Sequence, residues 1–494
     1  MRQVKLVAKA FISACSAALL LACLAPEQDS QDNSLLQECD PADGFDDALC
    51  AWIPVFEDRD QTSGSTIQLR VVVYPALDND PRPDPLFFLA GGPGQSAAQA
   101  SSSVARAFRK VREERDLVFV DQRGTGDSNG LDCDLDTDDL SLAFSEEHGI
   151  KQLKRCLSGY DADLRHYTTP VAMDDLDEVR DKLGYSKINI WGGSYGTRAA
   201  LAYLRRHGDR VRSVVLDGAV PPGMKIPLSF PEDAQRALEL MLDACEREDP
   251  CRARFPELRS QLAAVLDRLA NRPARLTMDH PRTGEPVSFS LPRDGVAQTL
   301  IAALYAPQAA SMLPILIEQA YEGDFAGLLA LGFALEPRDE VQLSWGMFFS
   351  VVCAEDLPWF DDDERRSSAF GSFMGESTAK RWAQICEFWP HGTVSEGFHD
   401  PVRSDVPALV LSGALDPVTP PRWGEKLAEG LTDMRHVIVP GAAHGTSVEG
   451  CVPSLIADFV RAGSADDLDV DCVEGIDRPP FFVTAAGPSM GTAQ

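Results

Sequence analysis

Basic residues are scarce for a chain of this size. Across 494 residues, 46 Lys and Arg face 76 Asp and Glu, a formal charge of −30. Such a surface repels phosphate backbones and anionic headgroups, which disfavours nucleic acid as a partner. Beyond the first residues there is no long apolar run, so no later segment is suited to spanning a bilayer. No CxxC pair and no HExxH occurs, leaving zinc without its usual ligand spacing, and the sequence implies no metal or other cofactor. Repeats of fixed period are absent, against solenoids and propellers. What remains is ordinary globular composition, 44% hydrophobic and 25% charged, unlike that of disordered or fibrous chains. The length fits one large domain with an insertion, or two to three domains.

The N-terminus carries Arg2, Lys5 and Lys9, then an apolar run over Ala10–Leu21. A basic start, a short apolar stretch and small residues before a cut describe a secretory signal, predicted over 1–22. It ends in Leu20-Leu21-Ala22-Cys23, which resembles the lipobox of bacterial lipoproteins, where the cysteine is lipidated. Lipid on Cys23 would be the sole membrane contact; ordinary cleavage nearby is the alternative. Residues 23–54 begin with a polar, tether-like stretch. Ten further cysteines follow Cys15 and Cys23. An even count in an exported chain predicts disulfides, with neighbours in sequence paired.

Short apolar strands then alternate with helical segments. Thr66–Tyr74, Leu86–Leu89, Leu117–Val120, Ile188–Trp191 and Val211–Asp217 read as strands, and Thr169–Leu183 and Thr197–His207 as helices. From about Pro221 to His399 the pattern turns helical. It offers Glu232–Glu246, Glu257–Asn271, Gly295–Leu304, Met312–Glu322 and Val341–Val352. Strands resume at Ala408–Ser412 and His436–Val439, with helices over Trp423–Leu431 and Pro453–Arg461. Alternating strands and helices predict an α/β fold: a mostly parallel sheet covered on both faces. The helical block within it predicts a cap. The expected parts are 55–220 and 401–465 for the core, 221–400 for the cap, and 466–494 for a peripheral tail.

Strand Ile188–Trp191 runs into Gly192-Gly193-Ser194-Tyr195-Gly196 and then a helix. This is G-x-S-x-G in the context it needs, with Ser194 lifted clear of the sheet at a helix N-terminus. Small neighbours relieve the crowding of such a strained turn. A serine hydroxyl is a weak nucleophile and needs a base held by an acid. Among eight histidines, His444 sits just after the last strand; His436, the competitor, begins that strand. Asp416 follows strand Ala408–Ser412 and is the candidate acid. The Leu89–Gly94 loop is glycine-rich and follows an early strand. Pro93 has no N–H, so the N–H groups of Gly92 and Tyr195 are the expected oxyanion donors.

Taken together, Gly91–Gly94, Asp121–Gly126, Gly192–Gly196, Asp416 and the Gly441–Gly445 histidine loop resemble the prolyl and tripeptidyl aminopeptidase branch of the α/β hydrolases. The resemblance covers roughly Val55–Val220 and Pro401–Arg461. It departs at Ala90, where many relatives carry His. It implies an α/β-hydrolase fold and a serine hydrolase that releases N-terminal residues or short peptides through an acyl-enzyme. It further implies a peptide or other small acyl compound as substrate. It also implies acidic cap residues that grip the substrate's amino group, here Glu355, with Asp356 as alternative. Asp121 and Arg123 are expected to brace the oxyanion loop. An esterase is the second reading, and a non-catalytic surface-binding lipoprotein the third.

Overall fold

In the computed structural model the described residues are 35–61, 63–133, 135, 142, 144–280, 283–335 and 343–488. Cys23 and the expected signal lie outside them. In chain order the strands are β1 (Gln37–Glu38), β2 (Leu49–Phe56), β3 (Thr66–Tyr74), β4 (Leu86–Leu89), β5 (Leu117–Val120), β6 (Ile188–Gly193), β7 (Val211–Asp217), β8 (Ala274–Asp279), β9 (Pro286–Leu291), β10 (Ala408–Gly413) and β11 (Met434–Val439). Nine of them form one sheet in the order β1-β2-β3-β5-β4-β6-β7-β10-β11. From β5 to β11 neighbouring strands run parallel, while β1, β2 and β3 add an antiparallel edge.

The apolar alternation of the strands decides what covers each face. Phe87, Val118, Ile190, Val214 and Val410 share one core with the helices Thr169–Lys182 and Tyr195–His207. Their neighbours Phe88, Phe119, Trp191, Val215 and Leu411 point the other way, into a core with Ala97–Ala107 and Val452–Ala462. Every expected strand is present. β2 was not among the expected strands, and Pro54 lies within it. The proline is tolerated there because, among the described residues, β1 pairs with β2 at Leu49 and Cys50 alone, away from Pro54.

Between β7 and β10 the chain leaves the sheet and builds an insertion with its own apolar core. Its helices include the expected ones, as Phe230–Arg247, Leu258–Asn271, Arg293–Leu304, Leu313–Glu322 and Trp345–Glu355. It is not wholly helical: β8 and β9 form an antiparallel hairpin. The tail is not peripheral either. Phe481 and Val483 are buried in the core of the insertion, the Phe482 N–H donates to the Ser311 carbonyl at 3.0 Å, and Arg478 pairs with Glu248. Apolar residues near the end of an acidic segment outweigh its charge once a pocket is offered to them.

Among the described residues five disulfides form, Cys39–Cys50, Cys133–Cys156, Cys245–Cys251, Cys353–Cys386 and Cys451–Cys472, each joining neighbours in sequence. Among the described residues no helix is long and apolar enough to cross a membrane.

Candidate active site

All the motif residues sit at the C-terminal ends of parallel strands, where loops converge. Ser194 follows β6 with φ 54° and ψ −125°, a conformation that costs energy and persists only where the surroundings impose it. The two glycines of the motif impose it by close approach. A Cβ on Gly192 would lie 2.4 Å from the Gly196 carbonyl oxygen, and one on Gly196 would lie 2.1 Å from the Leu89 carbonyl oxygen. The Ser194 N–H donates to the Asp217 carbonyl at 2.8 Å, tying the turn to the end of β7.

His444 follows β11, and its Nδ1 lies 2.9 Å from Asp416 Oδ2. Asp416 is wholly buried in the loop after β10. Its Oδ1 accepts from the N–H groups of Val418 and Thr419, both at 2.8 Å, and its Oδ2 from the Thr419 hydroxyl at 2.7 Å. Burial pushes the Asp416 carboxyl up, but the His444 charge and these hydrogen bonds outweigh it and hold the group below its usual range. Burial pushes the His444 imidazole down, yet the Asp416 charge and hydrogen bond carry it above its ordinary value. His436 instead pairs with the Ser412 hydroxyl at 2.9 Å, and burial lowers its pKa.

Ser194, His444 and Gly91 line one cavity of about 270 Å³. Gly92 has φ 107° and a cis bond to Pro93. Tyr195 is the first residue of its helix, so its N–H has no intrahelical acceptor. The Tyr195 phenol lies 2.5 Å from Thr169 Oγ1, which donates to Glu355 Oε2 at 2.8 Å.

That chain corrects the expectation for Glu355 and Asp356. Neither carboxylate is presented to the cavity; both are buried and already partnered. Glu355 also accepts from the Thr169 N–H at 2.6 Å. Asp356 takes the Arg198 guanidinium at 2.9 and 3.0 Å and the Ile226 N–H at 3.0 Å. The Arg198–Asp356 pair joins the helix after Ser194 to the insertion, and removing one partner of such a pair costs about 3–5 kcal/mol. Arg123 likewise does not face the oxyanion loop: it pairs with Asp175 at 2.6 and 2.9 Å. Asp121 does brace it, accepting from Ser96 Oγ at 2.7 Å and the Ala98 N–H at 2.9 Å at the start of the next helix. Burial pushes its pKa up to about 6.

Glu355 behaves as a strut behind Tyr195, and this has a measurable consequence. Burial pushes its pKa up to about 7, against the Arg198 charge and the Thr169 hydrogen bonds. A raised carboxyl pKa stabilises the fold fully below the usual 4.5, and that stability is lost as pH rises to about 7. Glu355→Gln cannot ionise. Between these pH values the unfolding free energy of the variant should gain on wild type by up to roughly 3 kcal/mol. Peptide and ester turnover should fall together, since the effect passes through Tyr195. Parallel stability curves would refute the raised pKa, and loss confined to free-amine peptides would return Glu355 to the substrate.

Three further residues escaped the sequence. Asp217 ends β7 and accepts from the Thr446 and Ser447 N–H groups, both at 2.8 Å, holding the loop that carries His444. Thr419 shares Asp416 with the histidine. Tyr305, from the insertion, packs edge-on against the imidazole at 4.9 Å, and its carbonyl accepts from the His444 N–H at 3.3 Å. An acid closing a strand was a visible signal for Asp217; nothing local marked the other two. Among the described residues no three His, Cys, Asp or Glu side chains cluster so as to hold a metal ion.

Residues 84–250 match the family model described as alpha/beta hydrolase fold, and residues 371–472 that of TAP-like protein. The chain is an α/β hydrolase, an enzyme of the serine hydrolase class. Within that class it is similar to peptidases and to a carboxylesterase. The serine protease Hip1 of Mycobacterium tuberculosis is 27% identical over 467 residues, covering 86% of this chain and 87% of that protein. Carboxylesterase B of the same species is 29% identical over 462 residues, covering 86% of each. The tripeptidyl aminopeptidase of Streptomyces coelicolor is 24% identical over 466 residues, covering 86% of this chain and 82% of that protein.

Proposed function

We propose that the chain is an exported aminopeptidase in which Ser194, His444 and Asp416 form the catalytic triad. The observation that carries this is one cavity lined by Ser194 and His444, with His444 Nδ1 held by a buried carboxylate. Ser194 Oγ attacks the scissile carbonyl carbon while His444 Nε2 takes its proton. The Gly92 and Tyr195 N–H groups receive the oxyanion. The C–N bond then breaks, the amine leaves with the proton from His444, and water repeats the sequence on the acyl-enzyme. The insertion serves as the cap, with Tyr305 bringing it against the histidine. Relatives named serine protease and tripeptidyl aminopeptidase support a peptide substrate and release of N-terminal residues.

A small-molecule esterase is the second reading, favoured by the similarity to carboxylesterase B. The deciding experiment compares free-amine peptides, their N-blocked counterparts and simple esters, with fluorophosphonate labelling to report the nucleophile. Faster cleavage of free-amine peptides is the expected result. Esters alone being turned over would establish the second reading, and absence of labelling would refute both.

Five disulfides support an oxidising compartment and hence export. With Cys23 as lipid anchor, Cys23→Ala should move the protein from the membrane pellet to the soluble fraction. Unchanged fractionation would remove the anchor from the proposal.

A further inference from the structure

We infer that the cavity beside Ser194 is the subsite for the leaving fragment, and that it selects peptides with a large apolar side chain just after the scissile bond. The inference rests on the triad reading above and extends it to the far side of the cleaved bond. Three observations carry it. The first is position. The cavity is walled by the helix Ala97–Ala107 and its preceding loop, by β4 and β6, and by the loop that follows His444. Among the described residues the insertion contributes none of its lining. In the collapse of the tetrahedral intermediate, the Ser194 Oγ–carbon bond stays, the carbon–nitrogen bond breaks, and the nitrogen takes the proton that His444 took from Ser194. The departing amine must therefore lie on the histidine side. The loop that follows His444 forms the cavity wall on that side.

The second observation is the chemistry of the walls. Phe88 and Trp191 stack at 4.4 Å with their planes 5° apart, and Ala100 and Val448 complete an apolar lining. Polar groups around them are already engaged. Trp191 Nε1 donates to Ser447 Oγ at 2.9 Å, and Ser96 Oγ donates to Asp121 at 2.7 Å. Gln95 is placed to meet a backbone amide of the departing fragment: its Oε1 lies 3.0 Å from where a Cβ on Gly91 would sit, beside the reactive turn. Apolar walls with few convergent polar groups are the usual make-up of a specificity pocket.

The third is the rim. Val448 is 63% exposed, a large apolar side chain left in water at the cavity mouth, four residues after the histidine. Burying it against a substrate side chain is favourable. A volume of about 270 Å³ accommodates a leucine or phenylalanine side chain with its backbone.

The test takes the N-terminal unit that wild type releases fastest and varies the next residue through Gly, Ala, Leu and Phe. Wild type should prefer Leu or Phe over Gly by about 10- to 100-fold in kcat/KM, the weight of one buried apolar side chain. Ala100→Trp, which fills the cavity from the helix side, should reduce the Leu-to-Gly ratio at least tenfold. Val448→Asp, a surface change on the opposite wall, should reduce it in the same direction. Matched methyl and hexyl esters of the same acyl group form the other arm. A wild-type preference for the long alcohol with none among the amino acids would overturn the peptide assignment. Unchanged Leu-to-Gly ratios in both variants, with Ser194 still labelled by fluorophosphonate, would overturn the subsite while leaving the triad standing. Wild type that does not label would overturn the triad, and the subsite with it.

Discussion

Ser194→Ala should abolish fluorophosphonate labelling and lower kcat by about 10⁶-fold, the loss seen when the nucleophile of such a triad is removed. The change deletes one oxygen at the wall of an open cavity and leaves the strained backbone to the glycines that enforce it. Stability should accordingly stay within about 0.5 kcal/mol of wild type, as for substitutions away from packed or paired groups. The residual rate would come from the oxyanion donors and substrate binding, which alone supply about 10³- to 10⁴-fold over water. Removing the nucleophile therefore separates the backbone of the site from its chemistry. Labelling that persists in the variant would place the nucleophile elsewhere, and peptide turnover that persists without labelling would exclude an acyl-enzyme. A third outcome, wild-type protein that binds peptides and never labels, would favour a non-catalytic binding role.

The features legible in the sequence are those whose cause is local. Leu86–Leu89 and Leu117–Val120 are four-residue apolar runs that can only be buried strands in a sheet covered on both faces, and both have the expected bounds. G-x-S-x-G announces its own turn, because the strain and its relief fall within five residues. The disulfides are local too, each closing onto the next cysteine. What could not be read are pairings made only when distant segments meet. Thr169 and Glu355 are 186 residues apart, Arg198 and Asp356 are 158 apart, and Asp217 and Thr446 are 229 apart. In a chain with 76 acids, no local pattern distinguishes a carboxylate offered to substrate from one buried as a strut. Glu355 and Asp356 were misread on that account. Phe481 failed for the same reason in reverse: an apolar residue in an acidic tail reveals nothing of the pocket it fills.

Asp416→Asn should lower kcat by about 10⁴-fold with the fold intact, because the change turns one acceptor into a donor without altering shape. The surroundings of Asp416 dictate which way the amide turns. Oδ1 of the aspartate accepts from the Val418 and Thr419 N–H groups, so the amide oxygen must remain there. Its NH₂ then replaces Oδ2, facing Thr419 Oγ1 and His444 Nδ1. An NH₂ is a donor only, so Nδ1 must become the acceptor and the imidazole proton moves to Nε2. A ring protonated at Nε2 cannot take the Ser194 proton. The same substitution removes the charge that raises His444, while its burial remains. More acid is then needed to protonate the ring: the acid limb of kcat/KM, which lies above the ordinary histidine value in wild type, should move to lower pH. Asp217, whose charge also raises His444, keeps its place on Thr446 and Ser447 and leaves part of the shift in force. Fluorophosphonate labelling should slow in parallel with turnover, since both need the base. A variant that loses activity with no change in the acid limb would show that Asp416 holds the loop without orienting the imidazole. Full activity would transfer the role of the acid to Asp217.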